Sequence, residues 1–139
     1  MSKIFIDTNI LVYSMDQSDL KMKKRCQAAL KTIDDTLTGV ISTQVMQEFY
    51  VVATRKLGVE PLLAKSILHA FENFEVVVVD SMLIKEAIDT SIVNQISFWD
   101  ALIVVSAESA KCEKIWTEDL QHDRVIRGVQ IDHILTSHR

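Results

Sequence analysis

The sequence predicts an α/β fold, a three-layer sandwich in which helices flank a mainly parallel central sheet. Short apolar runs typical of strands alternate along the chain with longer amphipathic stretches typical of helices, an arrangement that produces parallel sheets. The composition supports a packed domain, because 48% of the 139 residues are hydrophobic, 24% are charged, and only three Gly and one Pro interrupt them. We therefore expect residues 1–139 to form a single domain with one substantial core.

Five short segments have the composition of buried strands. The first follows the N-terminus directly, and the third is a block of four valines, which is typical of a strand covered on both faces. In chain order the predicted strands are Lys3–Ile6, Gly39–Ser42, Val76–Val79, Lys114–Trp116 and Val129–Ile131. Strands of this kind, joined by helices, predict a parallel sheet.

Helices are predicted between these strands from amphipathic periodicity and from capping residues. Ser42 or Thr43 can cap a helix that Gly58 terminates. Pro61 suits the first turn of the next helix, because its missing N–H would have no partner there. Ser97 begins a helix that is apolar almost all round and should be buried. The predicted ranges are Leu20–Ile33, Thr43–Leu57, a helix beginning at Pro61, one capped by Asp80 or Ser81 that ends near Asn94, and Trp99–Ala110.

Charge and composition exclude several classes of protein. The net charge of −4 disfavours a simple nucleic-acid-coating protein, which gains its affinity from phosphate contacts and is usually basic. It does not disfavour a nuclease, because a metal site consumes several acidic charges. The predicted strand at Lys3 leaves no room for a signal peptide, and no apolar run is long enough to span a bilayer. Cys26 and Cys112 lack the spacing of a zinc or disulfide motif, so we expect a reduced, cytosolic protein without membrane association.

Four carboxylates stand where a strand or a turn leads into a helix. Asp7 and Asp119 each follow a predicted strand. Asp100 lies in the first turn of the buried helix, and Glu48 lies near the start of its own helix. The carboxyl ends of parallel strands meet at one edge of a sheet, and functional groups gather there. The sequence therefore predicts one acidic site from residues that are 41, 52 and 19 positions apart.

Clustered carboxylates cannot all stay ionised without a compensating cation, and hard oxygen ligands favour Mg²⁺ or Mn²⁺. Such an ion makes a bound water easier to deprotonate, so that the water can attack a phosphodiester. The same ion, or a second one about 4 Å away, stabilises the departing 3′ oxygen. The expected products carry a 5′ phosphate and a 3′ hydroxyl. No side-chain nucleophile is required, and no Ser or Cys has an obvious His partner.

Each of these acids also has a structural explanation. Asp7 could end a strand by bonding to its own backbone, as Asp commonly does in turns. Asp100 stands three residues after Ser97, which is the spacing of a capping box. Glu48 lies on the flank of an apolar helix face, where a solvated side chain is normal.

The segment around Asp119 leaves its own alternatives. Asp119 could be a turn or helix-start residue, in which case Glu118 or Asp123 would take its role. Trp99 and Trp116 adjoin the candidate acids and could stack on a base. Because both lie next to apolar runs, we expect them to fill the core.

At these residues the chain resembles the PIN-domain ribonucleases, and particularly their small toxin-type (VapC-like) branch. Each matching piece is short, but four of them occur in the right order along the whole chain. They are Ile4–Asn9, Gln47–Phe49, Phe98–Ile103 and Ile115–Leu120. One departure is Asp123, which stands where the family often has Gly a few residues after the last acidic motif.

This resemblance implies a Mg²⁺- or Mn²⁺-dependent endoribonuclease with an RNA substrate, an antitoxin partner and frequent homodimers. By the same resemblance the metal and catalytic residues are Asp7, Glu48, Asp100 and Asp119, supported by Thr8, Asn9 and Thr117. A phosphatase or receiver-type phosphoacceptor built around Asp7 is a weaker alternative, because a phosphatase with an Asp nucleophile would want a second Asp where Asn9 stands. A non-catalytic RNA-binding or scaffold domain is the other alternative.

The predicted helices at 43–57 and 61–71 carry more apolar surface than one sheet face can cover. Their large apolar residues include Phe49, Tyr50, Leu62, Leu63, Leu68 and Phe71. This excess predicts a two-fold dimer that buries the same patch on both subunits. The alternative is that the two helices pack against each other within one monomer.

Overall fold

The computed structural model describes residues 2–134, except for the side chains at 34 and 35. In this part of the chain the sheet consists of β1 (Ser2–Ile6), β2 (Leu37–Ser42), β3 (Glu75–Val77), β4 (Lys114–Trp116), β5 (Val125–Ile126) and β6 (Val129–Asp132). The strand order is β3-β2-β1-β4-β6-β5, and every pair is parallel except β5 with β6. The predicted α/β fold with a mainly parallel sheet is confirmed.

The strand order reverses at the centre of the sheet. From β1 the chain adds β2 and then β3 on one side, and it later returns to the other side of β1 with β4. Ile6 pairs with Trp116 at the ends of these two central strands. In parallel sheets the crevice beyond two such strands is where functional groups gather. Asp7 and Asp119 follow β1 and β4, so the topology brings both acids toward this crevice.

The helices form two groups around the sheet. They are α1 (Thr8–Tyr13), α2 (Leu20–Thr36), α3 (Thr43–Arg55), α4 (Pro61–Ala70), α5 (Ser81–Asn94) and α6 (Phe98–Ser109), with a short 3-10 turn at Phe71–Asn73. In the first group α1 contacts α2 and α3, and α3 contacts α4. In the second group α5 packs on α6, which contacts β2, β4 and β6. The three layers are therefore those that the sequence predicts.

Capping residues define the helix boundaries as predicted. Ser42 caps α3, where its hydroxyl accepts a hydrogen bond from the backbone N–H of Val45 at 3.4 Å. Asp80 caps α5 by accepting from the N–H of Leu83 at 2.9 Å, and Pro61 occupies the first turn of α4. The helix α6 is buried continuously over Ala101–Ala107, which confirms the burial predicted from its apolar sequence.

Three features differ from the sequence prediction. The run Val76–Val79 is not covered on both faces, because β3 is an edge strand paired only with β2, and Val78 is 70% exposed. The helix α1 was not predicted, since its six residues are too few for a helical period to be visible. The strand β5 was also not predicted, because its two residues are too few to show the alternation of a strand.

The main core surrounds the central strand β1. Phe5 and Ile6 are fully buried there and pack in one cluster with residues of α1, α2, α3 and α6. Cys26 and Cys112 are free thiols buried in the same cluster. In the described residues no single helix is long and apolar enough to cross a membrane, although α5 and α6 together, bent by 116° at their junction, reach that length and composition.

Candidate active site

Asp7 lies at the carboxyl end of β1 and caps the N-terminus of α1. Its backbone N–H donates to the carbonyl of Trp116 in β4 at 3.0 Å, which ties it to the neighbouring central strand. Its Oδ1 atom accepts a hydrogen bond from the backbone N–H of Thr8 at 2.7 Å. Its Oδ2 atom accepts one from the Thr117 hydroxyl, also at 2.7 Å. With only 5% of the residue exposed, the carboxylate is held in one orientation at the floor of the crevice.

Thr117 connects the segment after β1 with the segment after β4. Its hydroxyl donates to Asp7 and accepts a hydrogen bond from the backbone N–H of Asp119 at 3.1 Å. The residue is 1% exposed, so water cannot take over either bond. One buried hydroxyl thus orients the first carboxylate and fixes the loop that carries the last one.

Thr8 connects Asp7 with Glu48. The Thr8 hydroxyl donates to Oε1 of Glu48 at 2.8 Å, and the two residues lie on α1 and α3, which pack against each other. The next residue, Asn9, has a buried Oδ1 atom without a hydrogen-bond partner among the described residues. The short helix α1, which the sequence pattern did not reveal, is therefore the element that brings Glu48 to the strand end.

Two carboxylates of the cluster, Asp7 and Asp119, have raised pKa values. Burial raises the pKa of Asp7 from its ordinary value of 3.8 to about 7. The two hydrogen bonds to its oxygens act in the opposite direction, while the charges of Asp119 and Glu48 add to the increase. The pKa of Asp119 is raised as well, first by partial desolvation and then by the charge of Asp100. Without a cation, the cluster therefore retains protons that isolated carboxylates would release.

A cavity of about 700 Å³ lies over these residues. Asp7, Glu48 and Asp119 all line it, and Glu118 joins them there. Glu118 is also hydrogen-bonded to the Tyr13 side chain, which is another part of the wall. The structure thus brings three of the four predicted acids to one cavity and adds Glu118 as a further acid.

Asp100 lies beside this cavity and not in its wall as the structure describes it. It occupies the first turn of α6, where its backbone N–H donates to the Ser97 hydroxyl at 3.1 Å. Its half-buried side chain is close enough to Asp119 for its charge to raise the pKa of that acid. Ser97 therefore caps α6 as predicted, and Asp100 lies close to Asp119.

Asp123 lies outside the cavity wall. It accepts a hydrogen bond from Nε2 of Gln130 at 3.2 Å and lies 3.4 Å from His122. Its backbone φ of 65° is in the left-handed region, which glycine adopts without strain and Asp tolerates. This conformation and these contacts give Asp123 a structural role.

The donor set fits a hard divalent cation. The carboxylates of Asp7, Glu48 and Asp119 and the unpaired Oδ1 of Asn9 all offer oxygen, which Mg²⁺ and Mn²⁺ prefer. Within residues 2–134, no three Asp, Glu, His or Cys side chains are close enough to enclose an ion by themselves. Mg²⁺ usually binds through one or two carboxylates and keeps several waters, so such an enclosure is not required.

Trp99 is a cavity residue that the sequence analysis misassigned. It is 61% exposed and lines the cavity, whereas Trp116 is 7% exposed and belongs to the core. The expectation that both fill the core is therefore right for Trp116 and wrong for Trp99. The reason is the cap at Ser97, which places Trp99 in the first turn of α6, before the buried part begins at Ala101.

We expect Thr117→Val to weaken metal binding by about 10- to 100-fold, the usual effect of removing a group that orients a ligand. Valine keeps the shape but cannot donate to Asp7, so the pKa of that carboxyl rises further above 7. Metal binding should then require a higher pH. A calorimetric Mg²⁺ titration at several pH values measures both effects. Thr117→Ser keeps the hydroxyl and should bind Mg²⁺ with the affinity and pH dependence of the wild type. Equal affinity of the Val and Ser variants would contradict this role.

An α/β fold with an acidic cavity at the switch point of its sheet occurs in more than one protein family, and similarity over the whole chain distinguishes these families. Residues 4–128 match the PIN domain, and the chain belongs to the PIN domain family. Comparison with curated protein sequences found no match.

Solved structures of a VapC toxin and of toxin-antitoxin complexes have the same fold. VapC20 of Mycobacterium tuberculosis, described as a toxin that cleaves the sarcin-ricin loop, is 19% identical over 84% of this chain and 89% of its own, with a TM-score of 0.67. A toxin-antitoxin complex from Klebsiella pneumoniae is 19% identical over 91% and 94%, with a TM-score of 0.69. DNA-bound VapBC from Salmonella typhimurium is 19% identical over 95% and 98%, with a TM-score of 0.64. The predicted VapC-like PIN fold is thereby confirmed.

Proposed function

We propose that this protein is a Mg²⁺- or Mn²⁺-dependent endoribonuclease that acts in the cytosol as the toxin of a toxin-antitoxin pair. The main support is the buried carboxylate of Asp7, which faces two further carboxylates across an open cavity at the switch point of the sheet. Such a cluster destabilises the fold and is typical of a functional site. Membership of the PIN family and the similarity to VapC toxins favour RNA as the substrate.

The roles of the side chains follow from their contacts. Asp7, Glu48 and Asp119 would hold the ion, one or two of them directly and the rest through its bound waters, and Asp100 would add negative charge beside Asp119. Thr117 and Thr8 donate hydrogen bonds that keep Asp7 and Glu48 in position for binding. A divalent ion held by these carboxylates would make a water more acidic and would stabilise negative charge that develops on the phosphodiester oxygens. These roles agree with those predicted from the sequence and remain proposals.

Cleavage of labelled single-stranded RNA tests the proposed activity. With Mg²⁺ or Mn²⁺ we expect products that carry a 5′ phosphate and a 3′ hydroxyl, and with EDTA we expect no cleavage. Binding of RNA without cleavage under all conditions would favour the alternative, a non-catalytic RNA-binding or scaffold domain. Cleavage that persists in EDTA would reject the metal-dependent mechanism.

We propose that an antitoxin segment covers the apolar surface next to the cavity. Val51 lines the cavity and is 47% exposed, and Leu62 and Leu63 on the adjoining helix α4 are 69% and 54% exposed. A partner that packs on these residues could offer an Arg to the carboxylates and so block the site.

Co-expression with the adjacent small open reading frame is expected to yield a stable, inactive complex. The double substitution Leu62→Asp with Leu63→Asp should weaken that complex at least tenfold, because it places charge in an apolar interface, while cleavage by the isolated protein remains. Pull-down and cleavage assays measure the two effects. If no such partner binds or inhibits, the toxin role is rejected and the nuclease proposal stands.

We further propose a homodimer, with an exposed apolar row on α5 as the surface that we favour for its interface. In the predicted patch on α3 and α4, Phe49 is fully buried and packs edge-to-face on Phe71 at 5.0 Å, so part of that patch is used within the monomer. On α5, Ile84, Ile88 and Ile92 recur every four residues along one face and are 40%, 45% and 70% exposed. A monomer by light scattering at tens of micromolar would reject the dimer.

A further inference from the structure

The cavity follows one face of α3. Gln44, Glu48, Val52 and Lys56 all line it and recur every four residues, which places them in one row along the helix. At 1.5 Å per residue the row is about 18 Å long. The cavity is therefore an elongated groove, with Glu48 and the Thr8 side chain bonded to it between a Gln44 end and a Lys56 end.

Trp99 stands at the Gln44 end of this groove. Its backbone carbonyl accepts a hydrogen bond from Nε2 of Gln44 at 3.3 Å, and Gln44 is itself only 5% exposed, so the position of Trp99 relative to α3 is fixed. The indole ring packs edge-to-face on Phe98 with ring centres 5.1 Å apart. Even so, Trp99 is 61% exposed. A positioned but uncovered indole forgoes the free energy of burial, which indicates a surface that receives a flat ligand.

Lys56 stands at the opposite end. Among the described residues that line the groove it is the one cation, and its charge acts on Asp16 in the same wall. It follows the last turn of α3, and its side chain is exposed. A cation at this place offers a phosphate contact next to an otherwise acidic surface.

We propose that single-stranded RNA crosses this groove along α3, with one unpaired base stacked on Trp99 and one backbone phosphate bound by Lys56. The inference rests on the proposed ribonuclease function and adds the path of its substrate. Stacking on an aromatic side chain tolerates every base but requires that the base be unpaired. The two contacts therefore select single-stranded RNA, and they place the stretch of RNA between them over the acids.

Trp99→Ala is expected to raise KM for a short single-stranded RNA by about 10- to 100-fold, the effect of losing one base–aromatic stack. The turnover at saturating RNA should change little, and Trp99→Phe should restore most of the affinity. Oligonucleotides with a single abasic position, moved along the chain, locate the stacked base. At one position the missing base should weaken wild-type binding as much as Trp99→Ala does, and it should have no further effect in that variant.

A matched control is Leu20→Ala, which removes an apolar side chain of similar exposure, 58%, that does not line the groove. This variant should cleave like the wild type.

Lys56→Gln should weaken binding to all sequences about equally and reduce the slope of log affinity against log salt by about one. A Trp99→Ala variant with wild-type KM, or an abasic effect equal in both proteins, would overturn the proposal.

Fluorescence distinguishes this inference from the nuclease proposal. The chain has two Trp, of which Trp99 is exposed and Trp116 is buried, so quenching by RNA reports on Trp99 and should disappear in Trp99→Phe. Quenching by RNA in a wild-type protein that cleaves nothing would reject the nuclease and support the stacking surface. Quenching by the partner protein but not by single-stranded RNA would assign Trp99 to a protein interface and reject the proposed path.

Discussion

Asp7→Asn is expected to reduce metal-dependent RNA cleavage by at least about 100-fold, because the loss of a direct ligand should exceed the 10- to 100-fold effect of an outer partner. Asn keeps the shape of the side chain, and its Oδ1 can still accept the hydrogen bond from the N–H of Thr8. It lacks the negative charge that the ion needs, so metal affinity and turnover should fall together. Initial rates of RNA cleavage across a Mg²⁺ titration measure both.

The matched control is Asp123→Asn, the same chemical change at an acid that lies outside the cavity wall. It should retain at least half of the wild-type rate. Circular dichroism and melting curves verify that both variants fold. A folded Asp7→Asn protein that cleaves RNA at a rate near that of the control would remove Asp7 from the proposed site.

The sequence predicts those parts of the site that depend on strand ends. Asp7 and Asp119 follow apolar runs typical of buried strands, and a parallel sheet brings the ends of such strands to one edge. The buried helix α6 was predicted from its unbroken apolar sequence, and its start was predicted from Ser97. These features are local patterns joined by one general rule of topology, which is why a single sequence is sufficient for them.

Other parts depend on contacts between distant segments, which no local pattern reveals. Glu48 reaches the site through the hydroxyl of Thr8, and that contact exists only because the short helix α1 packs on α3. The exposure of Val78 follows from the edge position of β3, which depends on strand order. Trp99 is uncovered because α6 becomes buried one turn later than its sequence suggests. In each case the local sequence pattern predicts a helix or strand, whereas the residues that pack against it depend on the tertiary structure.

The metal-free protein is expected to lose stability as the pH rises from about 4 to about 7. The folded state holds the Asp7 proton with a pKa of about 7, whereas the unfolded chain releases it near 3.8. Over that interval the folded state binds one more proton than the unfolded state, so the free energy of unfolding falls with pH. The contribution of Asp7 is complete below pH 4 and lost above pH 7, and it amounts to about 4 kcal/mol as an upper bound.

Asp7→Asn should therefore stabilise the metal-free protein at pH 8, by about 1 to 4 kcal/mol, because it removes a buried charge. At pH 4 the same substitution should have little effect, since Asp7 is protonated in the folded state and the unfolded chain is then close to its ordinary pKa of 3.8. Urea unfolding in EDTA at the two pH values measures the difference. The control Asp123→Asn changes an exposed acid, and its effect should be small at both pH values.

Addition of Mg²⁺ at pH 8 should make the wild type more stable than Asp7→Asn, the reverse of their order in EDTA. An ion that binds only the folded state stabilises it by an amount that grows with concentration. At one hundred times the dissociation constant the gain is about 2.7 kcal/mol, equivalent to several degrees in Tm. It should be largest at pH 8 and small at pH 5.5, where the ion must displace the Asp7 proton. Asp7→Asn, already relieved of the charge, should gain little. If the variant is no more stable than the wild type in EDTA at pH 8, or if Mg²⁺ stabilises both equally, the carboxylate of Asp7 is not the strained group that the ion relieves.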